Sequence, residues 1–207
     1  MDKIANVLSV VLYPLFVPTY GMGHFCWAYS LHIAPLNLAW VLVAILGTFI
    51  LTCLCPIMSI WIMMKRGQVA DMQIENAQER FMPYIYSFIS FCFWCYLLIS
   101  ILHAPLFLSF VAVGATVAIG IVTLTNRHWK ISAHLSGFGG LLGGLMAYCL
   151  EIGALPTWGT LSLWLGVSLI LMFARLRLNA HTPAQVCAGW LLGLTCTFIP
   201  YCIYCYV

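Results

Sequence analysis

The sequence predicts an all-α protein, a polytopic bundle of membrane-crossing helices forming a single domain over residues 1–207. Three observations predict it. Hydrophobic residues make up 64% of the chain and charged residues only 6%, where a soluble domain carries about 25% charged. The mean hydropathy is +1.03, so the bilayer and not water is the expected solvent. The few ionisable residues gather in short stretches, separated by apolar runs of the roughly 20 residues that cross a hydrocarbon core.

Taken in order, the apolar segments fall at 4–28, 36–64, 82–102, 105–125, 131–150, 159–175 and 182–206. The last six make the expected six-helix core, and the first is an extra N-terminal helix. That first segment holds Pro14 and Pro18, has no small-residue cleavage site, and is expected to be retained. Polar punctuation comes at Lys65 to Arg80, Asn126 to Lys130 and Arg175 to His181, after the second, fourth and sixth segments. An even number of crossings separates these clusters, so all three are expected on one side of the membrane, where they can converge on one site.

Lys3, Lys65, Arg66, Arg80, Arg127, Lys130, Arg175 and Arg177 are the whole basic complement, and this topology puts every one on that same side. Loops rich in Lys and Arg stay cytoplasmic, so the site face is expected there. A net charge of +3 is too small to argue for a nucleic acid partner.

Cys92-x2-Cys95 and Cys202-x2-Cys205 lie inside apolar runs without a neighbouring histidine or carboxylate, and read as small hydrophobes rather than a metal or redox site. The run Ser136-Gly137-Phe138-Gly139-Gly140-Leu141-Leu142-Gly143-Gly144 has small residues four apart in two registers, which lets helix backbones approach closely. It is not a phosphate-cradling loop, because no Gly-x4-Gly-Lys-Ser/Thr arrangement is present. The same helix carries His134 in its first turn, and its N-terminal N–H groups suit an anion.

Two polar clusters carry the chemistry: Lys130-Ile131-Ser132-Ala133-His134, and Arg175-x5-His181-x3-Gln185. Together with Arg80 they resemble the type 2 phosphatidic acid phosphatase superfamily, whose motifs read Lys-x6-Arg-Pro, Pro-Ser-Gly-His and Ser-Arg-x5-His-x3-Asp. The resemblance runs from about Lys65 to the end of the chain. Its third motif is matched at Arg175 and His181; in the second, Ser132 and His134 match while Ile131 and Ala133 replace proline and glycine. In the first, Arg80 matches, Gln73 stands at the lysine, and the proline is displaced to Pro83.

The resemblance implies that His181 is the nucleophile, forming a phosphohistidine, and that His134 protonates the leaving oxygen. An imidazole with an ordinary pKa near 6.5 suits both tasks. It implies that Arg80 and Arg175 grip the transferring phosphoryl group, for which guanidinium forks are fitted. Lys130 is expected to supply the cation missing at Gln73, with Ser132 also on the phosphate. Gln185 stands where the family has an aspartate that orients the nucleophile; its amide oxygen can fix the tautomer but adds no charge. Asp71, Glu75 and Glu79, four apart, would share one helical face, and the simplest account is a solvated helix start.

The expected activity is hydrolysis of a lipid or isoprenoid phosphate or diphosphate at the interface, without metal or cofactor. The alternative is a lipid-phosphate binder without turnover, because Gln185 and Gln73 are neutral where the family is charged. His24, His32, His103 and His128 read as interfacial or locally hydrogen-bonded, and no zinc-binding spacing is present. A transporter is disfavoured, since the charges gather at one interface and not along mid-span.

Overall fold

The structure, a computed structural model, describes residues 2–71, 74, 77–154 and 158–207. Among these residues the fold is all-helical, with no strand: α1 (Asp2–Val11), α2 (Val17–His32), α3 (Leu38–Lys65), α4 (Phe81–Ile101), α5 (Leu106–Thr125), α6 (Ala133–Glu151), α7 (Trp158–Arg177) and α8 (Pro183–Tyr206). The last six are long and apolar enough to cross a membrane, and the chain is a polytopic membrane helix bundle.

The predicted first crossing at 4–28 is not one helix. Pro14 falls in a turn after α1 and Pro18 sits in the first turn of α2, where a missing N–H costs nothing. α1 exposes Ile4, Val7 and Val11 while burying Ala5 and Ser9, the pattern of a helix with one apolar side turned to lipid. It packs on α7. α2 then runs beside α6 in the same direction, from Val17 at Gly137 through Phe25 at Gly144 to Ala28, whose carbonyl accepts the Tyr148 hydroxyl at 2.9 Å.

α3 begins at Asn37, whose side chain accepts from Ala39 N–H at 2.8 Å, a cap on the exposed first turn. Its ladder loosens to π geometry over Ile50–Leu54 because Pro56 has no N–H to give. The Leu51 carbonyl this strands is taken up by the Ser90 hydroxyl of α4.

α6 is the centre of the bundle: 72% of its apolar stretch is buried, against 22–39% in the other five spans. Its closest neighbour is α8. A Cβ on Gly139 or Gly143 would strike the α8 backbone at Trp190 or Leu194, and one on Gly189 or Gly193 would strike Ser132 or Ser136. The small residues thus set the two backbones in direct contact, as their spacing predicts. That contact fixes where the N-termini of α6 and α8 meet, and His134 and His181 stand there.

Candidate active site

His181 sits between two helix-end motifs. α7 closes with Asn179 in the left-handed region (φ 50°), and the N–H of Ala180 reaches back to the carbonyl of Arg175 at 3.2 Å. α8 opens with a reciprocal cap: the Thr182 hydroxyl accepts from Gln185 N–H at 3.4 Å, and the Gln185 side chain accepts from Thr182 N–H at 3.0 Å. Pro183 follows the cap in the first turn of α8. The five residues between Arg175 and His181 are therefore a turn pinned at both ends, which holds the histidine near its arginine.

A second tie comes from the 126–132 loop. His181 Nδ1 lies 3.2 Å from the Lys130 carbonyl oxygen, and Ser132 N–H donates to the Gln185 carbonyl at 3.2 Å. A carbonyl only accepts, so Nδ1 carries the proton and Nε2 keeps its lone pair. The oxygen at Nδ1 is thus the main-chain one of Lys130, and the Gln185 side-chain oxygen meets the Thr182 N–H in the helix cap.

His134, in the first turn of α6, is 9% exposed. Its Nε2 is 3.2 Å from the Ser9 carbonyl, and the Tyr13 ring meets it edge-on at 5.6 Å between centroids. Arg80, 5% exposed, donates through Nε to the Ile74 carbonyl at 2.6 Å. Ile74 itself has φ 48°, a left-handed conformation that is costly for a β-branched residue, and it is buried against the same cavity. Arg127 covers the Phe81 ring at 3.9 Å from its centroid, joining the 126–132 loop to the start of α4.

His134, His181, Arg80 and Arg175 line one cavity of about 190 Å³. Tyr13 and Tyr84 complete its polar end, and the remainder is mostly apolar, reaching into the bundle as far as Trp94, Leu98 and Leu108. A few Ser and Thr residues stand in its wall, among them Thr48, Thr52, Ser87 and Thr116, whose hydroxyls donate to carbonyls of their own helices. Neither tyrosine was singled out from the sequence. Tyr13 could have been noticed only as a phenol beside Pro14, at the break between α1 and α2. Burial raises the Tyr13 pKa above the ordinary phenol value, so the hydroxyl stays neutral at this wall.

Lys130 and Ser132, both expected on the phosphate, are not among the residues that line the cavity. Ser132 is wholly buried outside the cavity lining, its hydroxyl unpartnered, and its carbonyl faces Gly189. Lys130 offers His181 its carbonyl, while its charge acts on the ring from nearby. Burial, then the charges of Arg175, Arg80 and Lys130, push the His181 pKa down to about 4. An imidazole so placed is neutral at pH 7.

Glu79 accepts from Ala70 N–H at 2.8 Å, which steadies the loop before α4. Asp71 acts electrostatically on Tyr13. Gln73 and Glu75 lie outside the described residues. Among the described residues no three His, Cys, Asp or Glu side chains gather closely enough to hold a metal ion.

No protein-family model matches the chain, and neither a curated protein nor a solved structure matches it.

Proposed function

We propose that the protein is a membrane phosphohydrolase that removes phosphate from a lipid or isoprenoid phosphate through a phosphohistidine. One observation carries this reading: two imidazoles and two guanidiniums from three separate stretches of the chain line the polar end of a single cavity whose inner part is mostly apolar. An anionic headgroup on a hydrophobic tail has that division of character. The type 2 phosphatidic acid phosphatase pattern of the sequence agrees with it.

In this reading Nε2 of His181 attacks phosphorus while the bond to the leaving oxygen breaks. His134, carrying a proton on each ring nitrogen once the anionic headgroup is bound, gives its Nε2 proton to that oxygen, exchanging the Ser9 carbonyl for substrate, and is left neutral with its proton on Nδ1. Water then attacks the phosphohistidine, His134 takes a proton back, and orthophosphate leaves. Arg80 and Arg175 hold the equatorial oxygens and offset the charge that gathers on them; no metal or cofactor takes part. The site face is cytoplasmic by the Lys and Arg distribution. A cysteine placed at Gln68 stays unlabelled by a membrane-impermeant reagent in intact cells if so.

Purified protein in detergent releases orthophosphate from a lipid phosphate, and His181→Ala abolishes the release. Equal release by that variant overturns the mechanism. A second reading, a lipid-phosphate binder without turnover, draws on the capped position of Gln185, which gives His181 no carboxylate. It predicts that wild-type protein binds lipid phosphate and leaves it intact.

A further inference from the structure

The cavity does not stop at the headgroup. On α4, Trp94 and Leu98 come fourteen and eighteen residues after Arg80, which puts them ~21 and ~27 Å deeper along the helix axis. The hydrocarbon core is about 30 Å thick, so the slot runs through most of the bundle. Leu98 and Leu108 close its inner end, at 1% and 4% exposure, with Phe107 buried behind them.

The wall at that depth is fixed. The Trp94 indole N–H donates to the Thr48 hydroxyl at 3.0 Å, and that hydroxyl donates in turn to the Ala44 carbonyl at 2.6 Å. The ring packs directly over Gly47, where any Cβ would collide with it. Breaking the Trp94 bond would leave a buried indole N–H unpaired, so the ring cannot swing aside cheaply.

Width is limited as well. A compact apolar cavity of about 150 Å³ accommodates a single benzene ring. Here about 190 Å³ is drawn out along a deep slot, which admits one chain in cross-section and not two abreast.

Resting on the phosphohydrolase reading of this site, we propose that its substrate is a single-chained lipid phosphate, acyl or isoprenoid, and that Leu98 and Leu108 set the longest chain accepted. A chain dissolved in a membrane is already out of water, so entering the slot brings little hydrophobic gain. Selection comes from fit: a chain that overruns the inner end must fold back or displace packed side chains.

The test measures binding of octyl through eicosyl phosphate to detergent-solubilised protein by competition. Wild type shows a length of tightest binding, beyond which affinity falls at least tenfold. Leu98→Ala moves that length upward, and Ala112→Phe, which fills the slot one turn after Leu108 on α5 and so nearer the polar end, moves it downward. In wild type alone, needing no variant to fold, single-chained lysophosphatidate binds at least tenfold tighter than two-chained phosphatidate. Farnesyl phosphate set against dodecyl phosphate identifies the chain chemistry by whichever binds tighter. The same optimum in all three proteins, no optimum, or equal binding of phosphatidate and lysophosphatidate overturns the proposal. Orthophosphate release is read separately: length-selective binding without release counts against the hydrolase reading and leaves the slot standing, and release without length selection does the reverse.

Discussion

The ring nitrogen Nδ1 of His181 and the carbonyl oxygen of Lys130 stand 3.2 Å apart, joining two segments fifty-one residues apart in sequence. A main-chain oxygen does what a carboxylate does in many histidine-dependent sites: it fixes the tautomer and leaves the other nitrogen bare. It supplies no full negative charge. Buried, and with Arg175, Arg80 and Lys130 around it, His181 is held neutral by its surroundings.

Because the carbonyl orients the ring, the Gln185 side chain is dispensable for orientation. Gln185→Ala removes half of the α8 cap and costs roughly 1 kcal/mol of stability. Orthophosphate release per folded molecule stays within a few-fold of wild type. Thermal unfolding and turnover measured on the same preparation check both halves. A loss of turnover by orders of magnitude with stability preserved would mean that the amide does act on the histidine.

Acid should weaken the fold through His181. Its folded pKa, about 4, lies below the unfolded value near 6.5, so the unfolded chain binds more protons between those limits and stability falls as pH drops through them. At and above pH 7 the full stability is present; below about 4 the loss from this group, on the order of 3 kcal/mol, is complete. His181→Asn removes the effect. Denaturation midpoints of both proteins at pH 7, 6 and 5 test it, and parallel curves would refute it. Inorganic phosphate, by pairing with the ring, raises its pKa again, and its binding near pH 5.5 takes up protons, a quantity calorimetry in two buffers of different ionisation enthalpy measures.

The convergence of His134, His181, Arg80 and Arg175 was legible because it follows from counting crossings, and the count survives the break in the first segment. α2 alone runs the depth of α6, while α1 packs against α7. Hydropathy averages over Pro14 and Pro18 and so joins two helices into one. What the sequence could not convey is the work done by backbone atoms. The carbonyls of Lys130, Ser9 and Ile74 hold His181, His134 and Arg80, and a carbonyl has no residue type to betray it. The burial of Ser132 was hidden for a related reason: its carbonyl lies against Gly189, a backbone contact that no residue type announces.

Arg80 is held at one edge by Ile74, so its guanidinium has a set orientation at the cavity wall. Arg80→Lys keeps the charge but loses the planar fork and the anchoring bond. A charge-assisted hydrogen bond contributes about 1.5–3 kcal/mol, so affinity for an alkyl phosphate falls roughly ten- to a hundredfold. Unchanged affinity in a binding titration would remove Arg80 from the phosphate site.

The seam between α6 and α8 is what holds the two histidines in register, and a single methyl group can test it. Gly189→Ala drives a Cβ into the Ser132 carbonyl, backbone against backbone, with no flexible side chain to yield. The N-termini of α6 and α8 must then part, stretching the Ser132 to Gln185 hydrogen bond and the Lys130 to His181 contact together. Overpacking of this kind costs about 1–3 kcal/mol, and alkyl phosphate affinity falls with it even where the protein still folds. Gly23→Ala is the control, because a Cβ at Gly23 on α2 meets nothing within 4 Å. There the gain in helix propensity adds roughly 0.5–1 kcal/mol and leaves phosphate binding alone. Opposite signs for the two substitutions in thermal unfolding, with binding lost only in the first, are the expected result; equal effects would mean that the close approach of α6 and α8 does not position the site.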